Sequence, residues 1–296
     1  MNSSSPLIRK LIIVGVGLIG GSLALALRRV GAVEEIVGIG RSEFNLETAL
    51  KVGAIDQVAS RLIDVVHDAD VVVLATPVNS INQYLAELSV KLPKGIVITD
   101  VGSVKQEIML TAKKCLKEQY RNFVPGHPIA GRESSGINAA NSRLFENHNV
   151  VLTPDENTDP HAIALIKNMW LKAGASIILM DRKEHDAVLS ITSHLPHILA
   201  YAMMNYLADD INAGRCYQMA AGGFYDFTRT ASSDPEMWRD ISFMNKDCLL
   251  EDIRRFQNRL EDIANLIQND EDAKLRQLFQ DARQARSLVT ERRNSC

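Results

Sequence analysis

The chain has 296 residues, of which 46% are hydrophobic and 23% are charged. Its 33 Lys and Arg against 36 Asp and Glu give a net charge of −3. The length predicts two domains, the apolar content excludes a disordered chain, and the near-neutral charge argues against binding nucleic acid.

The chain start shows no cationic segment leading into an apolar run, so we expect no secretory signal. Contiguous apolar stretches such as residues 71–75 are far shorter than the roughly 20 residues of a membrane helix. The four cysteines are widely scattered, which is typical of reduced thiols. We therefore expect a cytoplasmic protein without a membrane partner.

Short β-branched runs alternate with helical patterns in the first half of the chain. The predicted strands are residues 11–14, 36–39, 71–75 and 96–99. The predicted helices are residues 19–30, 46–52, 81–92 and 104–116. Strands that are apolar throughout and alternate with helices are typical of a parallel, doubly wound sheet of the Rossmann type.

The sheet pattern continues more weakly and then stops. Further strands are predicted at residues 122–124, 150–152 and 176–180, with a helix at 160–173. From 185 to 287 the apolar spacings of three and four predict helices only. We therefore predict a Rossmann-type domain at 1–180 and an all-helical domain at 181–296. The helical domain has little else to cover its apolar stripe, so we expect a homodimer.

The first motif is a glycine loop, Gly15-x-Gly17-x-x-Gly20, between a predicted strand and a predicted helix. In that context the first glycine permits a tight turn, the second admits a pyrophosphate, and the third lets helix and strand pack closely. The helix N-terminus, with Leu18 and Ile19, offers free N–H groups to the phosphates. The loop predicts a dinucleotide site.

The end of the second strand bears on the choice of cofactor. An NAD site usually carries an acid there, whereas this chain has Arg41 and Ser42. A guanidinium and a hydroxyl suit a 2′-phosphate, so NADP is favoured over NAD; alternatively, Arg41 stacks on the adenine of either cofactor. Thr76 and Pro77 end the strand at 71–75 and belong either to the cofactor site or to a simple strand terminator.

Ser103 and His127 are the candidate catalytic residues. Ser103 follows a strand and could be no more than a helix N-cap. His127 lies between prolines and glycines in 125–131, which predicts a rigid loop that exposes the ring at the same sheet edge as the glycine loop. An imidazole suits the removal of a proton from a substrate hydroxyl during hydride transfer.

Two segments of the helical domain are candidates for binding the substrate. His194 and His197 lie three residues apart, but no third ligand is near in sequence, so no metal site is expected. Arg229 could hold a carboxylate, or it could pair with Asp226 or Asp234.

As a set these motifs resemble the prephenate/arogenate (cyclohexadienyl) dehydrogenases of tyrosine biosynthesis, over most of the chain. The motifs are Gly15-x-Gly17-x-x-Gly20, Asp100-Val101-x-Ser103-Val104-Lys105, Gly126-His127-Pro128-x-x-Gly131, Ser193-His194-Leu195-Pro196-His197, and Phe227-x-Arg229 with Asp234, Pro235 and Trp238.

The resemblance implies an oxidative decarboxylation of prephenate to 4-hydroxyphenylpyruvate. It implies that His127 accepts the proton of the ring 4-hydroxyl and that Ser103 positions that hydroxyl and His127. It also implies that Arg229 holds a substrate carboxylate and that His197 or His194 contacts the substrate. It also implies dimers formed through the helical domain. Glu133 matches an acidic position of members that use prephenate, so prephenate is favoured, with arogenate as a further substrate. The alternative within the family is an arogenate-specific dehydrogenase.

Two other classes of protein fit part of this pattern. A β-hydroxyacid or imine dehydrogenase shares the Rossmann-plus-helices plan but usually uses a lysine of the helical domain. A non-catalytic nucleotide sensor would need no proton acceptor beside the cofactor.

Overall fold

The computed structural model describes residues 5–90, 92–131 and 134–294. The chain divides into two compact units, Met1–Lys246 and Asp247–Cys296. All the strands and most of the helices belong to the first unit. The domain boundary near residue 180 stays a prediction.

Six parallel strands form the main sheet. They are β1 Ile8–Val14, β2 Val33–Ile39, β3 Gln57–Val58, β4 Val71–Leu74, β5 Val97–Asp100 and β6 Phe123–Val124. Their order is β3-β2-β1-β4-β5-β6, and every neighbouring pair is parallel. The predicted doubly wound parallel sheet is confirmed.

Strand β1 shows why the sheet strands are apolar throughout. Leu11 and Ile13 belong to one buried cluster, whereas Ile12 and Val14 belong to another. Successive side chains of a strand point to opposite faces, so both faces of this sheet are covered.

The later strands correct the sequence prediction. β7 Gly126–Pro128, β8 Asn149–Leu152 and β9 Ser176–Leu179 form a separate sheet in the order β7-β8-β9, with β7 antiparallel to β8. The predicted strands at 150–152 and 176–180 exist, but they do not continue the main sheet. Pro125 separates β6 from β7, and a proline has no N–H to donate to a sheet ladder.

Thirteen α-helices alternate with the strands along the chain or follow them in the part of the chain that the structure describes. They are α1 Leu18–Arg29, α2 Glu43–Lys51, α3 Leu62–Val65, α4 Val78–Leu88, α5 Gln106–Leu116, α6 Pro160–Lys172, α7 Arg182–Leu189, α8 Leu195–Ala208, α9 Ala213–Met219, α10 Gly222–Thr228, α11 Pro235–Met244, α12 Lys246–Gln268 and α13 Asp272–Asn294. The predicted helical second half is confirmed.

Helices α7 and α8 are joined by a π-helical segment, Ser190–His194, into one run of 27 residues, Arg182–Ala208. By length and composition this run could cross a membrane, which is weak evidence because core helices pass the same test. The sequence pattern of contiguous apolar residues does not reveal this run, because polar residues interrupt it. The run carries buried His185, Asp186 and His194.

A buried ion pair ties β5 to α5 and β7. Lys105 Nζ donates to Asp100 Oδ2 and, at 2.7 Å, to the Gly126 carbonyl, and both charged side chains are 0% exposed. Asp100 also accepts the N–H groups of Gly102 at 2.8 Å and Gly126 at 3.2 Å. These bonds place the start of β7 against the end of β5.

Replacing Lys105 with methionine should destabilise the protein by about 3–5 kcal/mol, because Asp100 is left charged and unpaired in the interior. The measurement is the free energy of unfolding from urea titration. The control is Lys274→Met, which removes an exposed pair with Glu271 and should cost less than about 1 kcal/mol. Equal losses in the two variants would contradict this account.

Candidate active site

The glycine loop joins β1 to α1 in a tight turn. Gly15 has φ +98°, and a Cβ there would lie 2.4 Å from the Ala75 carbonyl oxygen. A Cβ on Gly20 would lie 2.2 Å from the Gly15 oxygen and 2.8 Å from Ile13. Both positions therefore require glycine, Gly15 for its backbone conformation and Gly20 for the packing of α1 on β1.

Gly17 differs, because a Cβ at this position would meet nothing within 4 Å. It is the N-cap of α1 and caps the helix with no side chain. The first N–H groups of a helix have no intrahelical acceptor and attract anions. The open space at Gly17 is thus room for a phosphate group.

A cleft of about 550 Å³ lies along this loop. Its lining residues come from the ends of β1, β2 and β4 and from the helices that follow β2 and β4: Gly15, Val16, Gly17, Gly40, Arg41, Ser42, Asn45, Leu46, Ala75, Thr76, Pro77, Ser80, Gln83 and Tyr84. Ligands of doubly wound sheets bind at this carboxyl edge.

Most of the predicted cofactor residues meet in this cleft, and the rest support it. Gly15, Gly17, Arg41, Ser42, Thr76 and Pro77 line it. Leu18 and Ile19 instead pack against the buried core, and Gly20 packs on Gly15. Ser42 caps α2 by accepting the Asn45 N–H at 3.2 Å. Among the described residues, none hydrogen-bonds to the buried Thr76 Oγ1, so the cleft offers a polar group to a ligand.

His127 lies in strand β7 and is 9% exposed, so the prediction of an exposed loop histidine is wrong. Pairing of Gly126–Pro128 with β8 draws the segment into the second sheet. Burial, followed by electrostatic interactions with His185, Lys105 and His194, holds the pKa of His127 well below its usual value. The ring is therefore neutral at pH 7 and able to accept a proton.

A buried chain of polar groups extends behind His127. His127 Nδ1 is 2.9 Å from His185 Nε2, and His185 Nδ1 is 2.7 Å from Asp186 Oδ1. Asp186 also accepts the N–H groups of Lys105 at 2.8 Å and Gln106 at 2.9 Å. The carboxylate thus lies at the N-terminus of α5, where a helix favours negative charge.

His194 comes from the π-helical segment and lies in the same cluster. Its Nδ1 is 3.0 Å from Asn245 Nδ2, whose amide also donates to the Asp186 carbonyl at 2.8 Å. Burial lowers the pKa of His194 to about 4, against opposing effects of Asp186 and the Ser103 backbone. The His194 ring is therefore neutral at pH 7. The π-helical segment that carries it is of a kind that is frequent at functional sites.

Ser103 lies next to this cluster, since a hydrogen bond with its backbone raises the pKa of His194. The alternative that Ser103 caps a helix is wrong, because α5 begins at Gln106 with Lys105 as its N-cap. The predicted catalytic role of Ser103 stays a prediction.

His197 and Arg229 are brought together near Trp238. The His197 ring stacks on Trp238 at 3.6 Å between centroids, and the His194 ring lies edge-on to Trp238 at 6.1 Å. His197 Nδ1 donates to the Ser193 carbonyl at 2.8 Å. Burial, opposed by that hydrogen bond and aided by the nearby Arg229, lowers the pKa of His197.

Glu133, the predicted substrate contact, lies outside the described residues. Among the described residues, no group of three or more His, Cys, Asp or Glu could hold a metal ion.

Sequence reasoning missed His185, Asp186 and Asn245. A signal for the first two was present, because both lie on the face of α7 that also buries Leu189. Charged and polar groups on the apolar face of a helix are rarely there without a partner. Asn245 follows the end of α11 and carries no such pattern.

Comparison with known families matches both halves of the chain. The family model for "Prephenate dehydrogenase, nucleotide-binding domain" matches residues 23–179. The family model for "Prephenate dehydrogenase, dimerization domain" matches residues 181–281.

Relatives cover nearly the whole chain. Prephenate dehydrogenase of Bacillus subtilis is 38% identical over 93% of this chain and 75% of that protein. Cyclohexadienyl dehydrogenase of Zymomonas mobilis is 35% identical over 93% of this chain and 94% of that protein. The crystal structure of prephenate dehydrogenase from Aquifex aeolicus, in complex with hydroxyphenyl propionate and NAD+, is 33% identical with a TM-score of 0.89, covering 97% of this chain and 100% of that chain.

Replacing Gly17 with alanine should leave the fold intact and weaken nucleotide binding by at least about tenfold, because the added methyl group occupies the approach of the phosphates. Titration calorimetry with NAD and NADP measures this effect without turnover. The matched Gly15→Ala should instead lower the melting temperature, since its Cβ meets backbone. Unchanged nucleotide affinity in Gly17→Ala would contradict the assignment of the cleft.

Proposed function

The chain belongs to the prephenate dehydrogenase family, and we propose that it catalyses the oxidative decarboxylation of prephenate to 4-hydroxyphenylpyruvate. The observation that carries this proposal is the position of His127. Its ring is neutral and buried, and Gly126, the residue before it, donates its N–H to Asp100 at the carboxyl end of β5. The glycine-loop cleft lies at the same carboxyl edge of the main sheet.

The cofactor fits the cleft of the main sheet. Gly15, Gly17 and the N-terminus of α1 would hold its pyrophosphate, and Thr76 Oγ1 offers a polar group without a protein partner among the described residues. When bound, the nicotinamide supplies the acceptor for the hydride that leaves the substrate.

The residues around His127 do the remaining work. His127 takes the proton of the ring hydroxyl, and the lowered pKa keeps it in the base form at neutral pH. The ketone that develops at the ring carbon is conjugated to the carbon bearing the carboxylate, so carbon dioxide is lost and the ring becomes aromatic. We assign Arg229 and His197 to a substrate carboxylate, because they lie together.

Arogenate is a second candidate substrate. Arogenate dehydrogenase of Synechocystis is 30% identical in sequence to this chain, with a TM-score of 0.81, covering 95% of this chain and 99% of that chain. The two substrates differ only in a side-chain keto group or ammonium, so parallel assays separate them.

Absorbance at 340 nm with prephenate, and in parallel with arogenate, tests the activity. His127→Asn should lower kcat by about 100-fold or more with prephenate, since general bases contribute about 10²–10⁴. In the wild type, kcat/KM should fall only in acid, below the lowered pKa of His127, where the ring binds a proton. His148→Asn, an exposed histidine of the same unit, is the control. Unchanged turnover in His127→Asn would remove His127 from this role.

We further propose that NADP is preferred to NAD. Arg41 and Ser42 line the cleft after β2, none of the described residues that line the cleft is acidic, and Arg41 is exposed to solvent. A guanidinium pairs well with a 2′-phosphate and offers nothing specific to a 2′-hydroxyl.

Replacing Arg41 with alanine should lower kcat/KM for NADP by roughly 10- to 100-fold, because a charge-assisted hydrogen bond of about 1.5–3 kcal/mol is lost. The same variant should change kcat/KM for NAD by less than about threefold. A wild-type enzyme that prefers NAD tenfold, or equal losses with both cofactors, would contradict the proposal.

We also propose a homodimer formed through the helical region. This region exposes large apolar side chains, with Ile211 98% and Met219 81% exposed. The family model that matches residues 181–281 describes a dimerization domain. Apolar patches of this kind commonly mark protein interfaces.

Sedimentation at micromolar concentration should show a dimer. Ile211→Glu should shift the population towards monomer, because a charge would be buried in an apolar interface. Val90→Glu is the matched control, since Val90 is also exposed, at 83%, but lies outside the helical region. A monomeric wild type would contradict the proposal.

A further inference from the structure

His185 and Asp186 are buried polar residues that the proposed chemistry does not use. Both residues are 0% exposed, and they are adjacent in α7. Neither reaches the glycine-loop cleft, because neither is among its lining residues. Such groups are costly to bury unless their hydrogen bonds are satisfied.

Asp186 is fixed from several sides. Oδ1 accepts the Lys105 N–H at 2.8 Å, and Oδ2 accepts the Gln106 N–H at 2.9 Å. The Asn245 side-chain amide donates to the Asp186 backbone carbonyl at 2.8 Å. Burial by itself raises the pKa of Asp186, but the hydrogen bonds from His185, Gln106 and Lys105 outweigh it and hold the pKa below its usual value. The residue is therefore a carboxylate.

The Asp186 carboxylate determines which nitrogen carries the proton, first in His185 and then in His127. A carboxylate can only accept, so His185 Nδ1, at 2.7 Å, carries a proton. Burial lowers the pKa of His185, so the ring is neutral and its Nε2 is an acceptor. His127 Nδ1, 2.9 Å from that Nε2, must then be the donor. In a neutral ring this leaves Nε2 of His127 without a proton.

We propose that His185 and Asp186 are positioning residues that hold His127 in the tautomer whose Nε2 receives the substrate proton. The inference rests on the proposed function of His127. When the substrate O–H bond breaks, a new N–H bond forms at Nε2 while the Nδ1 proton stays on His127. No proton has to reach Asp186.

Charge also favours this arrangement. The ring of His127 is surrounded by His185, His194 and the Lys105 ammonium, all of which oppose a positive charge on it. At His185 the carboxylates of Asp186 and Asp100 counteract Lys105. The Asp186 carboxylate therefore favours the proton on His185 Nδ1, which leaves His185 Nε2 to accept the Nδ1–H of His127, much as the acid of a serine-protease triad orients its histidine.

The first test uses the 296-residue chain without substitutions. Nitrogen-15 NMR of histidine-labelled protein at pH 7.5 should show His127 protonated on Nδ1 and unprotonated on Nε2, with His127→Asn used to assign the signal. Protonation on Nε2 instead would overturn the proposal. This measurement needs no substrate, so it stands even if neither prephenate nor arogenate is turned over, an outcome that would refute the proposed function alone.

The second test compares two substitutions of His185. Leucine removes the acceptor for His127, so kcat with prephenate should fall by at least about tenfold while KM stays within about threefold. Glutamine can still accept through Oε1 and should recover most of kcat. In His185→Leu the His127 signal should lose the Nδ1-protonated tautomer.

Asp186→Asn is the independent variant, and Asp181→Asn is its matched control on the same helix. Asp181 only caps α7, accepting the Lys183 N–H at 2.7 Å, and asparagine caps equally well. We expect Asp186→Asn to lower kcat and Asp181→Asn to leave it unchanged. A purely structural role would lower the melting temperature with kcat and tautomer retained in the folded protein, and that result would overturn the proposal.

Discussion

The buried pair of Asp100 and Lys105 is the constraint on which the site depends. It joins the last residue of β5, the residue before α5 and the first residue of β7 by hydrogen bonds that leave neither charge exposed. The Lys105 backbone N–H also holds Asp186. The segment from Asp100 to Lys105 therefore holds both the strand that carries His127 and the Asp186 carboxylate that supports it. Buried pairs of this kind add little stability over apolar residues, but removal of one partner is costly.

Burial gives the histidines of the site their chemical character. His127, His185, His194 and His197 all have lowered pKa values with burial as the largest cause. A cluster of protonated histidines would repel itself, and it could not take a proton from a hydroxyl. Neutral rings instead serve as directed donors and acceptors, and the neighbouring carboxylate or amide selects the nitrogen that carries the proton. The near-zero net charge of the chain gives no indication of this local arrangement.

The cofactor cleft and the histidine cluster follow different structural rules. Backbone geometry dominates the cleft, where Gly15 needs its positive φ and Gly17 leaves room for a ligand. Such local requirements are visible in the sequence, because glycine spacing records them directly. The histidine cluster instead uses side chains from β7, α7 and the π-helical segment, which are separated by up to 67 residues between His127 and His194. Their grouping depends on long-range packing.

The sequence alone determined the parallel sheet, the glycine loop, the helical second half and the family, because periodicity and short motifs act over a few residues. Tertiary structure decided that β7, β8 and β9 form their own sheet, that His127 is buried in a strand and that Ser103 caps no helix. It also decided that His185 and Asp186 form a hydrogen-bonded chain with His127. Strand pairing and burial are set by contacts between distant segments, and α7 is held beside His127 by the bonds of Asp186 to Lys105 and Gln106 and by the contact of His185 with His127. No pattern within α7 records that partner.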